Sequence, residues 1–134
     1  MPKAGDSYQI ELKEAHLNWG EHRNPTNRDL VGGEAYIPIP KRRAKEFHIY
    51  NSNHKPTGAG YNLFTVSSHD GFLNHETLRA QGSSVEGDIY AKQFSIDDNL
   101  KRIGHWYQNQ NAQVGDIVQV TWHSPTEVIV EIVR

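Results

Sequence analysis

The segment 36–47, Tyr-Ile-Pro-Ile-Pro-Lys-Arg-Arg-Ala-Lys-Glu-Phe, constrains the fold more than any other part of the chain. A proline disfavours the helical conformation of the residue before it, so Pro38 and Pro40 hold the apolar residues around them extended. Pro40 also stands where a helix can begin, because the first helical turn leaves its N–H groups without partners. We therefore predict a strand over 34–39, followed at once by a short basic helix over 41–47.

The length and composition are typical of one small domain. With 134 residues, the chain has room for a single domain over 1–134 with one hydrophobic core. It contains no cysteine, which excludes disulfides, thiol catalysis and cysteine-ligated zinc. Because no apolar run reaches membrane-spanning length and the N-terminus has no hydrophobic signal region, we expect a cytoplasmic protein that does not contact membranes. The formal net charge of −2 argues against indiscriminate binding of polyanions but allows a local basic patch.

Alternation of apolar and polar residues predicts a series of short strands. Besides 34–39, the expected strands cover 8–17, 61–68, 87–95, 117–122 and 127–133, with a further short one at 48–50. The segment 72–82 fits either a strand or a single helical turn. In the strand over 87–95, we expect Ile89, Ala91 and Gln93 on one face and Tyr90, Lys92 and Phe94 on the other.

A second helix is expected near 98–108. Asp98 is its candidate N-cap, and Leu100, Ile103, Trp106 and Tyr107 recur at helical spacing and should face the core. Six or seven short strands that neighbour one another in sequence, with two short helices, favour a mainly β fold. The pattern predicts an antiparallel barrel or open pseudobarrel rather than a doubly wound sheet.

The order of several motifs resembles the B3 DNA-binding domain. An Ile-Pro strand leads into a Lys/Arg helix, and later come the run 91–94, the turn 97–99, Gly104-His105-Trp106-Tyr107 and Gly115-Asp116-Ile117-Val118. The chain more closely resembles the B3-like specificity domains of bacterial restriction endonucleases, including those fused to phospholipase-D-type nucleases. This resemblance implies a seven-stranded open β-barrel with two short helices. It also implies that double-stranded DNA lies against a concave face between two arms, here residues 18–33 and 78–93.

Both arms carry side chains that can read base edges in the major groove, where arginine pairs with guanine and asparagine or glutamine with adenine. The first arm offers Asn18, Arg23, Asn24, Asn27 and Arg28, with Trp19 as an anchor. The second arm offers Arg79, Gln81, Ser83, Ser84, Lys92 and Gln93. We expect phosphate contacts from the basic helix through Lys41, Arg42, Arg43 and Lys45, with Lys101 and Arg102 as further candidates.

Two other functions stay open at this point. One is a small metal-dependent nuclease or hydrolase that uses His69, Asp70, His75 and Glu76, although a turn followed by a polar loop explains the same residues. The other is a barrel-type module that binds a small molecule or a protein. The chain has no serine nucleophile elbow, Walker loop or dinucleotide fingerprint. We therefore expect no catalytic site, no metal and no cofactor, and a nuclease, if one is involved, on another chain or domain.

Overall fold

The computed structural model describes residues 2–13, 35–51, 63–82, 89–97, 99 and 101–133. The strands are β1 (Ser7–Glu11), β2 (Ile37–Pro38), β3 (Leu63–Ser68), β4 (Glu76–Gln81), β5 (Gln93–Ile96), β6 (Ile117–Ser124) and β7 (Glu127–Val133). The helices are α1 (Lys41–Phe47), between β2 and β3, and α2 (Arg102–Asn109), between β5 and β6. In this described part of the chain, no helix is long and apolar enough to cross a membrane.

The seven strands form one sheet in the order β1-β6-β7-β3-β4-β5-β2. Five of its six neighbouring pairs are antiparallel, and β3 and β7 run parallel. The sheet curls into a half-barrel, and its two edge strands meet where the Tyr8 hydroxyl donates a hydrogen bond of 3.0 Å to the Pro38 carbonyl. The prediction of a mainly β, seven-stranded open barrel with two short helices is therefore confirmed.

In β3, β6 and most of β4, alternate residues point into the curl and contribute to the core. Its centre is Trp122, whose ring lies 5.9 Å from that of Phe64 and 6.2 Å from that of Phe94. Phe47, at the end of α1, packs edge-on against Trp122 with the ring centroids 5.8 Å apart. This contact fixes α1 against the sheet, because burying an aromatic ring removes a large apolar area from water.

The second helix packs on the sheet through polar as well as apolar contacts. Ile103, Trp106 and Tyr107 are buried, as predicted, and the Tyr107 hydroxyl donates to the Tyr36 carbonyl at 2.8 Å. The predicted N-cap was wrong. The helix begins at Arg102, later than the predicted start near 98, and Lys101 stands in the N-cap position. The predicted cap Asp98 and the predicted core residue Leu100 lie outside the described residues.

Several strand predictions were too long or in the wrong phase. The strand predicted over 8–17 is β1, which ends at Glu11, and 48–50 contains only an isolated bridge at Tyr50. Of the segment 34–39, only Ile37–Pro38 form a strand among the described residues, because α1 begins directly after Pro40. In 87–95, the strand begins only at Gln93, and Phe94 is fully buried while Ile89 is exposed. Ala91 and Phe94 both point into the core, so strict alternation is interrupted between them. The ambiguous segment 72–82 contains strand β4.

Candidate nucleic-acid interface

Helix α1 presents a concentrated positive charge at the surface. Lys41, Arg42 and Lys45 are exposed, and none of them has an ion pair with another described residue. The first turn of the helix contains no acidic residue. Arg43 differs, because its guanidinium pairs with Glu46 at 3.1 Å and lies over the Phe47 ring at 5.8 Å. Three of the four cations predicted for phosphate contact are therefore available to an external anion.

Two partly exposed glutamines lie side by side on β4 and β5 and form a short row next to β2, the strand that leads into this helix. Gln81 is opposite Gln93, which is opposite Pro38. Gln81 and Gln93 are partly exposed, while their neighbours Ala80 and Phe94 are buried. Because side chains alternate between the two faces of a strand, both glutamine side chains lie on the outer face of the sheet.

Backbone hydrogen bonds join this row to the start of α1. The Lys92 N–H donates to the Gln81 carbonyl at 2.7 Å, and the Ile39 N–H donates to the Lys92 carbonyl at 2.9 Å. Lys41, the first residue of α1, follows Ile39 by two residues. Since Cα atoms paired across strands lie about 5.5 Å apart and each further residue adds at most about 3.8 Å, the Cα of Lys41 lies within about 13 Å of that of Lys92. The cationic start of α1 and the two glutamines are therefore neighbours on the surface.

The side chain of Gln81 is oriented by a neighbour that the sequence analysis missed. The Ser95 hydroxyl lies 3.0 Å from the Gln81 Oε1 and donates to it. This hydrogen bond fixes the orientation of the Gln81 side-chain amide. Its NH₂ group can still donate to an external acceptor. No local sequence signal distinguishes Ser95, because its role depends on the pairing of β4 with β5.

Arg79 lies on the same face of β4 but is already partnered. Its guanidinium forms an ion pair with Asp97 at 2.7 Å. The Arg79 Nε is buried and has no hydrogen-bond partner within the part of the chain that the structure describes. Arg79 therefore stays a predicted base contact. To reach a base, its guanidinium would have to leave Asp97 or contact Asp97 and the base together.

Among the other predicted contacts, Lys92 is exposed directly before β5, and the rest belong to segments of which the structure gives no account. Outside the described residues lie the contacts predicted in the first arm, Asn18, Trp19, Arg23, Asn24, Asn27 and Arg28, and two in the second, Ser83 and Ser84.

The described base of the second arm is held by Asn51, a residue that sequence reasoning did not select. The Asn51 Oδ1 accepts a hydrogen bond of 2.9 Å from the Gly82 N–H, and the Asn51 N–H donates to the Ile89 carbonyl at 2.8 Å.

Asp70, one of the alternative metal ligands, acts as a structural acceptor. It receives hydrogen bonds of 2.8 Å from the Trp106 indole, the Phe72 N–H and the Ser68 hydroxyl. Burial by itself raises the pKa of Asp70, but these hydrogen bonds outweigh burial and hold the pKa below its ordinary value. The carboxylate thereby joins the turn after β3 to helix α2.

The other carboxylates and histidines around the segment 69–76 are also used within the fold. Glu76 pairs with Arg102 at 2.9 Å, and His69 lies 3.5 Å from Glu131. Across the described ranges, no three histidine, aspartate or glutamate residues lie close enough together to hold a metal ion. The described geometry of this segment is that of a turn fastened to α2.

Comparison with known proteins identifies a similar fold among solved structures. No protein-family model and no curated protein sequence matches the chain. Among solved structures, the chain is similar to the N-terminal domain of Helicobacter pylori LlaJI.R1, with a TM-score of 0.53. The match covers 96% of this chain and 88% of that chain at 10% sequence identity. At this identity the likeness demonstrates a shared fold and assigns no role to individual residues.

Proposed function

We propose that this chain is a B3-like domain that binds double-stranded DNA and recognises its sequence through the major groove. In this proposal, Lys41, Arg42 and Lys45 contact phosphates, and Gln81 and Gln93 read base edges from the adjacent row. Residues of the two predicted arms, 18–33 and 78–93, supply the remaining base contacts. The observation that carries the proposal is the direct attachment of an exposed cationic helix to a row of outward-facing amides.

The two kinds of side chain match the two parts of DNA recognition. Cations held on a short helix suit phosphate contacts, which position a protein on the duplex without reading its sequence. Glutamine amides can pair with the N6 and N7 atoms of adenine, which are accessible in the major groove. The net charge of the whole chain is −2, so the protein as a whole does not attract DNA. Binding through one localised basic patch is therefore favoured over non-specific binding by the entire surface.

The structural neighbour adds support at the level of protein class. LlaJI.R1 is a protein of a restriction system, and the domain that resembles this chain is its N-terminal one. We therefore propose that this chain serves as the recognition part of a restriction-related system. Any nuclease activity would then belong to another chain or domain.

A selection from a pool of random duplexes tests this function. The purified chain is incubated with the pool at moderate salt, bound duplexes are recovered over several rounds and the products are sequenced. We expect one short motif to be enriched, and its duplex to bind more tightly than a scrambled one. Absence of any enriched motif, with equal binding of the two duplexes, would contradict the proposal.

Metal analysis of the same preparation addresses the alternative of a metal-dependent hydrolase. We expect substoichiometric zinc and manganese after purification without chelator. A content near one metal ion per chain, together with cleavage of DNA by the purified chain, would replace the binding function with the enzymatic one.

A further inference from the structure

Asn51 is a buried polar residue that connects the basic helix to the base of the second arm. Its side chain is fully buried, although asparagine is mostly found at protein surfaces. A buried amide is costly unless it forms hydrogen bonds, so its position indicates a specific requirement. The requirement is visible in its partners, since Asn51 bonds to Gly82 after β4 and to Ile89 before β5.

The connection from α1 to Asn51 is short and rigid. The helix ends at Phe47 and is capped by His48, whose φ of 56° and ψ of 50° are left-handed. The N–H groups of His48 and Ile49 bond back to the carbonyls of Lys45 and Ala44 at 3.4 and 2.9 Å. This pair of hydrogen bonds is a Schellman motif, which fixes the direction in which the chain leaves a helix.

The segment 49–51 then pairs with the chain that enters β5. The Ala91 N–H donates to the Ile49 carbonyl at 3.0 Å, and the rings of Tyr50 and Tyr90 stack with their centroids 5.8 Å apart. From Ala91 the chain continues through Lys92 to Gln93, the second glutamine of the row. The segment after α1 therefore holds both the end of β4 and the approach to β5.

We propose that Asn51 is a positioning residue that keeps the glutamine row in a fixed register with the cationic helix. This inference rests on the proposed DNA-binding function and adds a specificity role for a residue that does not contact DNA. Lys41 and Arg42 would still attract the duplex without Asn51. Gln81 and Gln93 would then no longer meet the base edges at a defined distance from the phosphates.

Gly82 gives an independent way to disturb the same link. A Cβ atom at this position would lie 3.0 Å from the Asn51 Nδ2 and 3.2 Å from its Cγ. It would also lie 3.4 Å from the Tyr90 carbonyl oxygen. Because the Asn51 side chain is enclosed on all sides, it has little room to move away. Gly82→Ala should therefore displace the Asn51 amide without removing it.

The test compares discrimination ratios, defined as the dissociation constant for a scrambled duplex divided by that for the selected duplex. Unfolded molecules bind neither duplex, so the ratio does not depend on the folded fraction. The variants are Asn51→Leu, which removes the hydrogen bonds of the side chain, Asn51→Asp, which keeps an oxygen at the accepting position, and Gly82→Ala. Val118→Ala, in the core of β6 and away from this link, is the destabilised control.

We expect Asn51→Leu and Gly82→Ala to lower the ratio at least about fivefold, the smallest effect of losing one bidentate base contact. Binding of the scrambled duplex should be nearly unchanged, Asn51→Asp should keep more of the ratio than Asn51→Leu, and Val118→Ala should keep all of it. If Asn51→Leu does not fold, Gly82→Ala decides. A wild-type ratio near one would contradict the proposed function itself. A high wild-type ratio that both Asn51→Leu and Gly82→Ala retain would overturn the positioning role.

Discussion

Neutralising the exposed cations of α1 should change the salt dependence of DNA binding by a predictable amount. The triple variant Lys41→Gln, Arg42→Gln, Lys45→Gln removes the three side chains that are exposed and have no ion pair with another described residue. Each phosphate contact contributes about 0.9 to the slope of log K against log salt concentration, so three contacts contribute about 2.7. Between about 50 and about 200 mM salt, the loss of affinity should be about 40-fold smaller in the variant than in the wild type.

The slope is measured by fluorescence anisotropy with one labelled duplex over a series of salt concentrations. Glutamine has nearly the helix propensity of lysine and arginine, so α1 should persist, which circular dichroism can verify. Lys3→Gln is the control for loss of a surface cation elsewhere, because Lys3 is also exposed but precedes β1 rather than lying on α1. A triple variant whose slope equals that of the wild type would refute the assignment of phosphate contacts to α1.

Three further predictions concern separate parts of the molecule. Gln93→Ala should reduce the discrimination between the selected and the scrambled duplex by about 1–3 kcal/mol without changing the salt slope, and an equal loss on both duplexes would argue against base contact. The folded state lowers the pKa of Asp70, so the stabilisation by its carboxylate is complete above the ordinary value of about 3.9 and is lost as the pH falls towards the folded-state pKa. In urea unfolding below about pH 4.5, wild-type stability should therefore decrease more steeply with acidification than that of Asp70→Asn, and parallel profiles would contradict this reasoning. Phe47→Ala should lower the free energy of unfolding by about 3–5 kcal/mol, because its nearly buried ring packs on Trp122, and a loss under about 1 kcal/mol would show that α1 is not anchored there.

The parts of the fold that the sequence predicted are those set by local chemistry. Helix α1 was predicted with the bounds that it has, because Pro40 restricts the backbone at its start and the cations that follow favour a helix. Strands β6 and β7 were also recognised, since their alternation continues over several residues on both sides of a short turn.

The features that the sequence did not predict depend on tertiary pairing. The parallel pairing of β3 with β7 cannot be recognised from the sequence of either strand. In both, apolar and polar residues alternate as they would in an antiparallel strand. Asn51 reads as the first residue of a turn-rich stretch, and only the contact with Gly82 gives it a role. Arg79 was predicted as a base contact from its residue type, whereas its partner Asp97 becomes visible only with the fold.

Hydrogen exchange with and without the selected duplex tests most directly whether one surface both attracts and reads DNA. If helix α1 and the glutamine row form the interface, peptides that cover 41–51, 79–82 and 91–95 should exchange more slowly in the complex. The scrambled duplex at low salt should protect 41–51 more than the two row segments. Protection confined to α2 and the β6–β7 hairpin, with none in α1 or the row, would contradict the account.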